Sequence, residues 1–93
     1  MKTINAVHVN DLDNCVTLTG PAEVGDTVVY LEGGTEKTVF VRDGAPAWHK
    51  IAVRSVEKGG NVYKYGSIIG VALLDIKAGE HVHTHNMRSH GLI

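Results

Sequence analysis

The sequence predicts an all-β protein, a small single domain of short strands joined by tight glycine turns. No segment carries the i, i+3, i+4 spacing of apolar residues that a helix shows. Short runs rich in valine, isoleucine, threonine and tyrosine recur instead, as is typical of strands. The 11 glycines punctuate these runs, and glycine permits the backbone conformations that tight turns require.

The strands follow from these runs in chain order. Seven are predicted, at residues 4–9, 28–31, 38–41, 50–53, 62–65, 68–74 and 80–85. Gly33-Gly34 lies between the second and third and is a signal for a β-hairpin. Residues 11–17 give a weak helical signal. The chain is thus read as one domain, since 93 residues allow at most one.

A Gly-x-x-Val pattern recurs within the chain. It begins at Gly25, Gly59 and Gly79, each time just before a predicted strand. We interpret each as a turn that starts a strand. The unequal spacing excludes a solenoid repeat.

Composition excludes several function classes. The net charge is −1 and no basic cluster is present, which argues against nucleic acid as a partner. The longest mainly apolar run, residues 67–74, is too short to cross a bilayer, and the first residues have no signal-peptide pattern. The single cysteine, Cys15, excludes an internal disulfide and predicts a cytoplasmic protein.

The clearest candidate site is a group of histidines near the end of the chain. His81, His83 and His85 are half of the six histidines, and on a strand they would share one face. Two of them could converge on a metal ion or an anion, because imidazole serves both. His8 or His49 could supply a third ligand. The alternative is a polar face of an edge strand that binds nothing.

Other polar and aromatic residues admit two interpretations each. Lys64, between two tyrosines, either faces solvent or has its pKa lowered by partial desolvation at a site. Trp48 is either a core anchor or an exposed contact for a partner. Asp13-Asn14 is read as a turn or cap rather than a binding site.

Several short motifs together resemble a known family. They occur in the order His49-Lys50-Ile51-Ala52, Lys64-Tyr65-Gly66, Ile69-Gly70, Asp75-Ile76 and Gly79-Glu80-His81-Val82-His83-Thr84-His85-Asn86. This set is similar to the SAF domain of altronate and galactarate dehydratases, and to the small subunit of sulfolactate sulfo-lyase. The resemblance covers nearly the whole chain. One departure is Trp48, which stands where we expect a glycine before the His-Lys pair.

The resemblance implies a fold and an activity. The fold would be an SAF-type β-clip, with one SAF domain over residues 1–93 and a core at about residues 8–86. The activity would be β-elimination of water from a sugar acid by an altronate dehydratase (formerly altronate hydrolase), a metal-dependent lyase. A large catalytic domain or subunit would be the partner, so we expect the chain alone to be inactive. The resemblance further implies a divalent metal, iron, shared with that large domain.

The matching positions are the expected site residues. The catalytic residues would be His49, Lys50, Lys64 and Tyr65. Asn86 and His81 would bind the sugar-acid substrate, and His83 and His85 would bind the metal. The substrate's identity, the catalytic base and a homo-oligomeric state are left open.

Two other functions compete with this hypothesis. The chain could be the small subunit of sulfolactate sulfo-lyase, which differs only in its leaving group. It could also be a non-catalytic SAF module that binds carbohydrate or protein, although such a module gives the histidines no evident purpose.

Overall fold

The computed structural model describes residues 1–89, and within that range it contains nine strands and no helix. The strands are β1 (Thr3–Val7), β2 (Cys15–Leu18), β3 (Thr27–Glu32), β4 (Thr35–Phe40), β5 (Lys50–Ala52), β6 (Asn61–Lys64), β7 (Ser67–Ala72), β8 (His81–Val82) and β9 (Met87–Ser89). The all-β prediction is confirmed. Across residues 1–89 there is accordingly no helix with the length and apolarity to cross a membrane.

The strands form two sheets. One has six strands in the order β4-β3-β1-β2-β5-β8, and the other has three in the order β6-β7-β9. Pairing is parallel between β1 and β3 and antiparallel between the other paired strands.

Strands β2 and β5 separate two small hydrophobic cores. Val16 and Ile51, which pair across these strands, belong to one buried cluster, whereas the adjacent pair of Cys15 and Ala52 belongs to the other. Successive residues of a strand point to opposite faces, so each strand contributes to both cores. Neighbouring residues on β5 therefore face different environments, which decides where the candidate site residues lie.

Two hairpins close with two-residue turns. Gly33 and Gly34 have φ angles of 58° and 80°, and Tyr65 and Gly66 have φ angles of 55° and 76°. Positive φ at both central positions is the signature of a type I′ turn, which fits the twist of the flanking strands. The predicted hairpin at Gly33-Gly34 is confirmed, and the structure adds a second one between β6 and β7.

Four similar turns precede β3, β5, β6 and β8. In each, the N–H of the fourth residue donates to the carbonyl of the first, and the third residue has positive φ. Three of these third residues are Gly25, Gly59 and Gly79, so the predicted strand-starting turns are confirmed. The fourth turn was not predicted, because its third residue is Trp48, with φ of 69°.

Two local predictions were wrong. The helical signal at residues 11–17 gives way to strand β2, because residues Cys15–Leu18 pair with both β1 and β5 between the two cores. The strand predicted at 80–85 is only His81–Val82, after which the chain turns and re-forms a strand at β9. Strand β9 had not been predicted.

Candidate functional site

The sequence predicted that His81, His83 and His85 form a row along one strand, and the structure does not show such a row. Only His81 lies on β8, whereas His83 and His85 belong to a turn in which the His83 carbonyl accepts the N–H groups of Asn86 and Met87 at 3.1 and 2.9 Å. The turn reverses the chain within a few residues. As a result the imidazoles gather around one point instead of lining a face.

Four imidazoles come together there, and we call them the histidine cluster: His49, His81, His83 and His85. The ring of His81 lies 5.1 Å from that of His49, 5.4 Å from that of His83 and 5.5 Å from that of His85. The rings of His49 and His83 are 4.7 Å apart. Of the two candidates for an additional ligand, the structure brings in His49 and leaves out His8.

The pairing of β5 with β8 brings His49 to the cluster. Ile51 pairs directly with His81, so these two side chains share a face of the sheet. His49 stands two residues before Ile51 and lies on the same side. Its Nδ1 atom is 2.9 Å from Nε2 of His81, which is hydrogen-bond distance for two ring nitrogens that share a proton.

Asn86 shapes the turn that carries the exposed histidines. Its side chain is buried; the amide oxygen accepts the N–H of His83 at 3.0 Å, and the amide nitrogen donates to the carbonyl of His81 at 2.8 Å. Both ends of the amide are therefore used within the turn. A substrate contact by Asn86 stays a prediction, and the role that the structure gives it is to position His81 and His83.

Electrostatics keep the centre of the cluster neutral. Burial, and then the neighbouring imidazoles of His49, His83 and His85, lower the pKa of His81 to about 4 from 6.5. The carboxylate of Asp43, which accepts the His81 N–H at 3.3 Å, acts in the opposite direction but does not offset this. At neutral pH His81 therefore keeps a lone pair for a proton or a metal.

Three members of the cluster have the spacing of a metal-ligand set. One ring nitrogen from each of His49, His81 and His83 lies within 4.8 Å of the others. His85 is outside this set, although its ring contacts that of His81. The expected metal pair was His83 and His85, and the structure groups His83 with His49 and His81.

Lys50 and Lys64 lie away from the histidine cluster. Lys50 pairs with Val82, so it shares the face of the sheet opposite to that of Ile51 and His81. Both lysines act on the thiol of Cys15: burial raises its pKa to about 12, and the two ammonium groups partly oppose that rise. Both lysines therefore lie on the side of Cys15 and of the second hydrophobic core, and the raised pKa of this thiol argues against a nucleophilic role at neutral pH.

Tyr65 lies in the turn between β6 and β7, half exposed, with the ammonium group of Lys64 4.9 Å from its ring centre. The turn is held by Asp13, a buried residue whose carboxylate accepts the N–H groups of Tyr65 and Gly66 at 2.9 and 2.8 Å. The Lys64-Tyr65-Gly66 motif therefore has a structural reason in this chain. Catalytic roles for Lys50, Lys64 and Tyr65 stay predictions.

Asp13 and Asn14 act together on the hairpin of β6 and β7. Asn14 accepts the N–H of Tyr63 and donates to the carbonyl of Asn61, both at 2.9 Å. The sequence had indicated a turn or cap here, but it carried no signal that the partners lie about 50 positions away. His8 is tied into the same region, with Nε2 2.9 Å from the Asp13 carbonyl oxygen.

Comparison with known proteins gives a consistent match. A family model described as the altronate/galactarate dehydratase SAF domain matches residues 4–90. The chain is 43% identical over 84 residues to altronate dehydratase of Escherichia coli, which covers 89% of this chain and 16% of that protein. It is 40% identical over 52 residues to altronate dehydratase of Bacillus subtilis, covering 56% of this chain and 10% of that protein.

A second kind of relative is a subunit of another enzyme. The chain is 41% identical over 49 residues to (2R)-sulfolactate sulfo-lyase subunit alpha of Chromohalobacter salexigens, which covers 53% of this chain and 52% of that subunit. The matched part thus accounts for a small fraction of the dehydratases and about half of the sulfo-lyase subunit. The relatives are either much larger proteins or one subunit of an assembly.

Proposed function

Since the chain belongs to the altronate/galactarate dehydratase SAF domain family, we propose that it is the SAF domain or small subunit of a sugar-acid dehydratase. In this proposal a larger catalytic domain or subunit completes the active site, and a cytoplasmic location is part of the same proposal. The observation that carries it is the convergence of His49 from one segment, and of His81 and His83 from another, onto one point. A module with a purely structural role has no need of such a set.

The reaction sets the requirements for the site. Elimination of water next to a carboxylate needs a group that removes the α-proton and groups that stabilise the enediolate and the departing hydroxyl. His81 is neutral at pH 7 because its pKa is lowered to about 4, so a ligand can take the place of the proton that its ring shares with His49. Nε2 of His49 makes no side-chain hydrogen bond to residues 1–89, and it is the atom of that ring that can contact a ligand. The group that removes the α-proton is assigned neither to this chain nor to the larger component.

A divalent metal, for which iron is our proposal, fits the donor set. Imidazole nitrogens are suitable ligands for iron and for zinc, and three of them lie within 4.8 Å of one another. Three protein ligands leave room for substrate or for donors from the larger domain, as at catalytic metal sites. A metal bound there would polarise the substrate carboxylate and help the hydroxyl to leave. His49, His81 and His83 would hold it, and Asn86 would keep the latter two in place.

A second candidate function is supported by the similarity to sulfo-lyase subunits. The subunit alpha of Chromohalobacter salexigens is about as long as this chain, since 49 matched residues are 52% of it. The present chain would then be the small subunit of sulfolactate sulfo-lyase, with sulfite as the leaving group. The histidine cluster is compatible with either reaction, so the two candidates are distinguished by which substrate the complete lyase turns over.

The test uses the complete lyase, with the larger component present. We expect turnover of altronate or galactarate, and a loss of about a hundredfold or more when His49, His81 or His83 becomes alanine, as expected when a ligand or catalytic group is removed. Lys58→Ala, an exposed position on the turn before β6, is the matched control and should keep full turnover. Turnover of sulfolactate alone would favour the second candidate. Undiminished turnover in all three histidine variants would contradict both.

The same assay separates the two groups of candidate residues. Lys50→Met and Lys64→Met remove charge near Cys15, which lies on the face of the sheet opposite to the histidines. If they reduce kcat as strongly as His83→Ala, the active site extends over both faces through the larger component. If only the histidine variants lose activity, the lysines are outside the reaction.

A further inference from the structure

The four turns that precede β3, β5, β6 and β8 differ in their third residue. Glycine occupies this position in three of them, at Gly25, Gly59 and Gly79, with φ between 85° and 93°. In the fourth turn it is Trp48, with φ of 69°. A side chain at positive φ is strained because its Cβ crowds the neighbouring carbonyl, and this holds especially for a bulky residue.

The strained backbone at Trp48 is fixed by its surroundings. The Trp48 N–H donates to the carbonyl of Leu18 at 2.9 Å, and the Leu18 N–H donates to the carbonyl of His49, also at 2.9 Å. These bonds hold the turn against β2. Strain that is held in place in this way is found preferentially at functional sites.

The Trp48 side chain does not offset that strain within the chain. It is 69% exposed and belongs to neither hydrophobic core. Across residues 1–89 its indole N–H donates no hydrogen bond and its ring stacks on no other aromatic ring. Packing inside the described part of the chain therefore gives no reason for a tryptophan at this turn.

Trp48 lies at the end of the sheet that carries the histidine turn. The antiparallel register of Lys50 with Val82 places the residues before β5 next to the residues after β8. Leu73 also contacts this turn, since its N–H donates to the Asn86 carbonyl at 2.8 Å. Leu73 and the adjacent Leu74 are 40% and 55% exposed. Two segments with exposed apolar residues, one at Trp48 and one at Leu73 and Leu74, thus adjoin the histidine turn.

We propose that Trp48, Leu73 and Leu74, which we call the apolar rim, are the surface on which the larger catalytic part of the lyase docks over the histidine cluster. This inference rests on the proposed function. The size of that partner fits, since the chain corresponds to only 16% of the Escherichia coli dehydratase. A small sugar acid does not fit the rim, because leucine has no group that bonds a hydroxyl. Tryptophan is enriched among residues that dominate protein interfaces.

Hydroxyl-radical footprinting with peptide-level mass spectrometry tests the docking surface. Trp48 is the single tryptophan of the chain, and its oxidation rate is compared between the chain alone and the complete lyase. We expect a severalfold lower rate in the complete lyase. Leu31 is the internal control, because it is 59% exposed on β3 and separated from β5 by β1 and β2. Its rate should not change.

Two results would overturn the proposal. One is an equal oxidation rate of Trp48 in the two samples. The other is protection of Trp48 in the chain alone that grows with protein concentration, which would assign the rim to contact between copies of this chain. If His83→Ala abolishes turnover while Trp48 stays exposed in the complete lyase, the proposed function stands and the docking surface is wrong.

Variants provide a second measurement. Trp48→Ala keeps the strained turn without the indole, and Trp48→Gly also relieves the strain. Both should weaken docking of the larger part, or lower turnover of the complete lyase, by roughly tenfold or more. Leu31→Ala should leave docking and turnover unchanged. Equal activity of Trp48→Ala and the unmodified lyase would contradict a docking role.

Discussion

The Nδ1 atom of His49 lies 2.9 Å from the Nε2 atom of His81, although 32 positions separate the two residues in sequence. At this distance one ring donates its N–H to the lone pair of the other. A second proton between these two nitrogens would make both of them donors, which removes the hydrogen bond, and would give the pair a positive charge. The pair is formed by the pairing of β5 with β8, so the centre of the histidine cluster depends on the fold.

Acidification is expected to destabilise the chain through His81. Burial and the adjacent imidazoles lower the pKa of His81 to about 4, whereas the unfolded chain has the ordinary value of 6.5. The folded state binds this proton more weakly, so the stabilisation is complete above pH 6.5 and is lost as the pH falls toward 4. Because His81 is partly exposed, solvent screening reduces the loss to about 1–2 kcal/mol. Urea unfolding at pH 7.5, 5.5 and 4.5 measures it.

His81→Gln is the control for this pH dependence. The variant removes the titrating group, so its free energy of unfolding should vary less between pH 6.5 and 4.5 than that of the unmodified chain. Asp13 and Asp26 do not interfere, because their pKa values are lowered from 3.8 and they titrate below this window. An identical pH slope for the variant and the unmodified chain would show that His81 is not the group responsible.

Metal binding should depend on His49 as well as on the histidines of the turn. We expect Ni²⁺ or Co²⁺ to raise the melting temperature of the chain at pH 7.5, since a ligand that binds only the folded state stabilises it. His49→Ala removes one of three donors and should weaken binding by about tenfold or more. Lys58→Ala should bind as the unmodified chain does. Equal metal affinity in His49→Ala would exclude this residue from the ligand set and would restore the pair of His83 and His85 as the alternative.

The sequence was sufficient for the parts of the fold that local patterns determine. Gly33-Gly34 between two β-branched runs predicted a hairpin, and Gly25, Gly59 and Gly79 predicted strand-starting turns, because glycine marks positions of positive φ. The strand Cys15–Leu18 was not predicted. It forms because it pairs with two strands and packs into two cores, and not because of a local alternation of apolar and polar residues.

The sequence singled out the histidines that the structure brings together, but it did not predict their arrangement in space. A period of two suggested that His81, His83 and His85 share a strand face, yet the buried amide of Asn86 pairs with both His81 and His83 and makes the chain turn. The family resemblance made both His49 and Lys50 expected catalytic residues. In a strand adjacent side chains point to opposite faces, and only the pairing register shows which of them reaches the histidines.

Replacing Asp13 should be strongly destabilising. Burial acts to raise the pKa of its carboxyl, but the N–H groups of Gly66, Tyr65 and Asn10 outweigh this and keep the pKa below the ordinary value. Asp13→Asn replaces one accepting oxygen by a donor and leaves buried N–H groups unpaired, which should cost about 2–4 kcal/mol in the free energy of unfolding. Chemical denaturation measures it. Asp11→Asn is the control, because Asp11 is exposed, and a similar loss in both variants would contradict this account.

Gly79 and Gly59 occupy the same position of two similar turns and should respond differently to alanine. Both have positive φ, 93° and 85°, so each substitution carries backbone strain of about 1 kcal/mol. A Cβ at Gly59 meets nothing within 4 Å, whereas a Cβ at Gly79 would overlap the carbonyl oxygen of Phe40. We expect Gly79→Ala to lower the free energy of unfolding by about 3 kcal/mol or more and to disturb β8, which begins at His81. Thermal unfolding of both variants tests this. Equal losses would mean that strain alone sets the requirement for glycine, and that the close approach of Gly79 to Phe40 at the end of β4 does not.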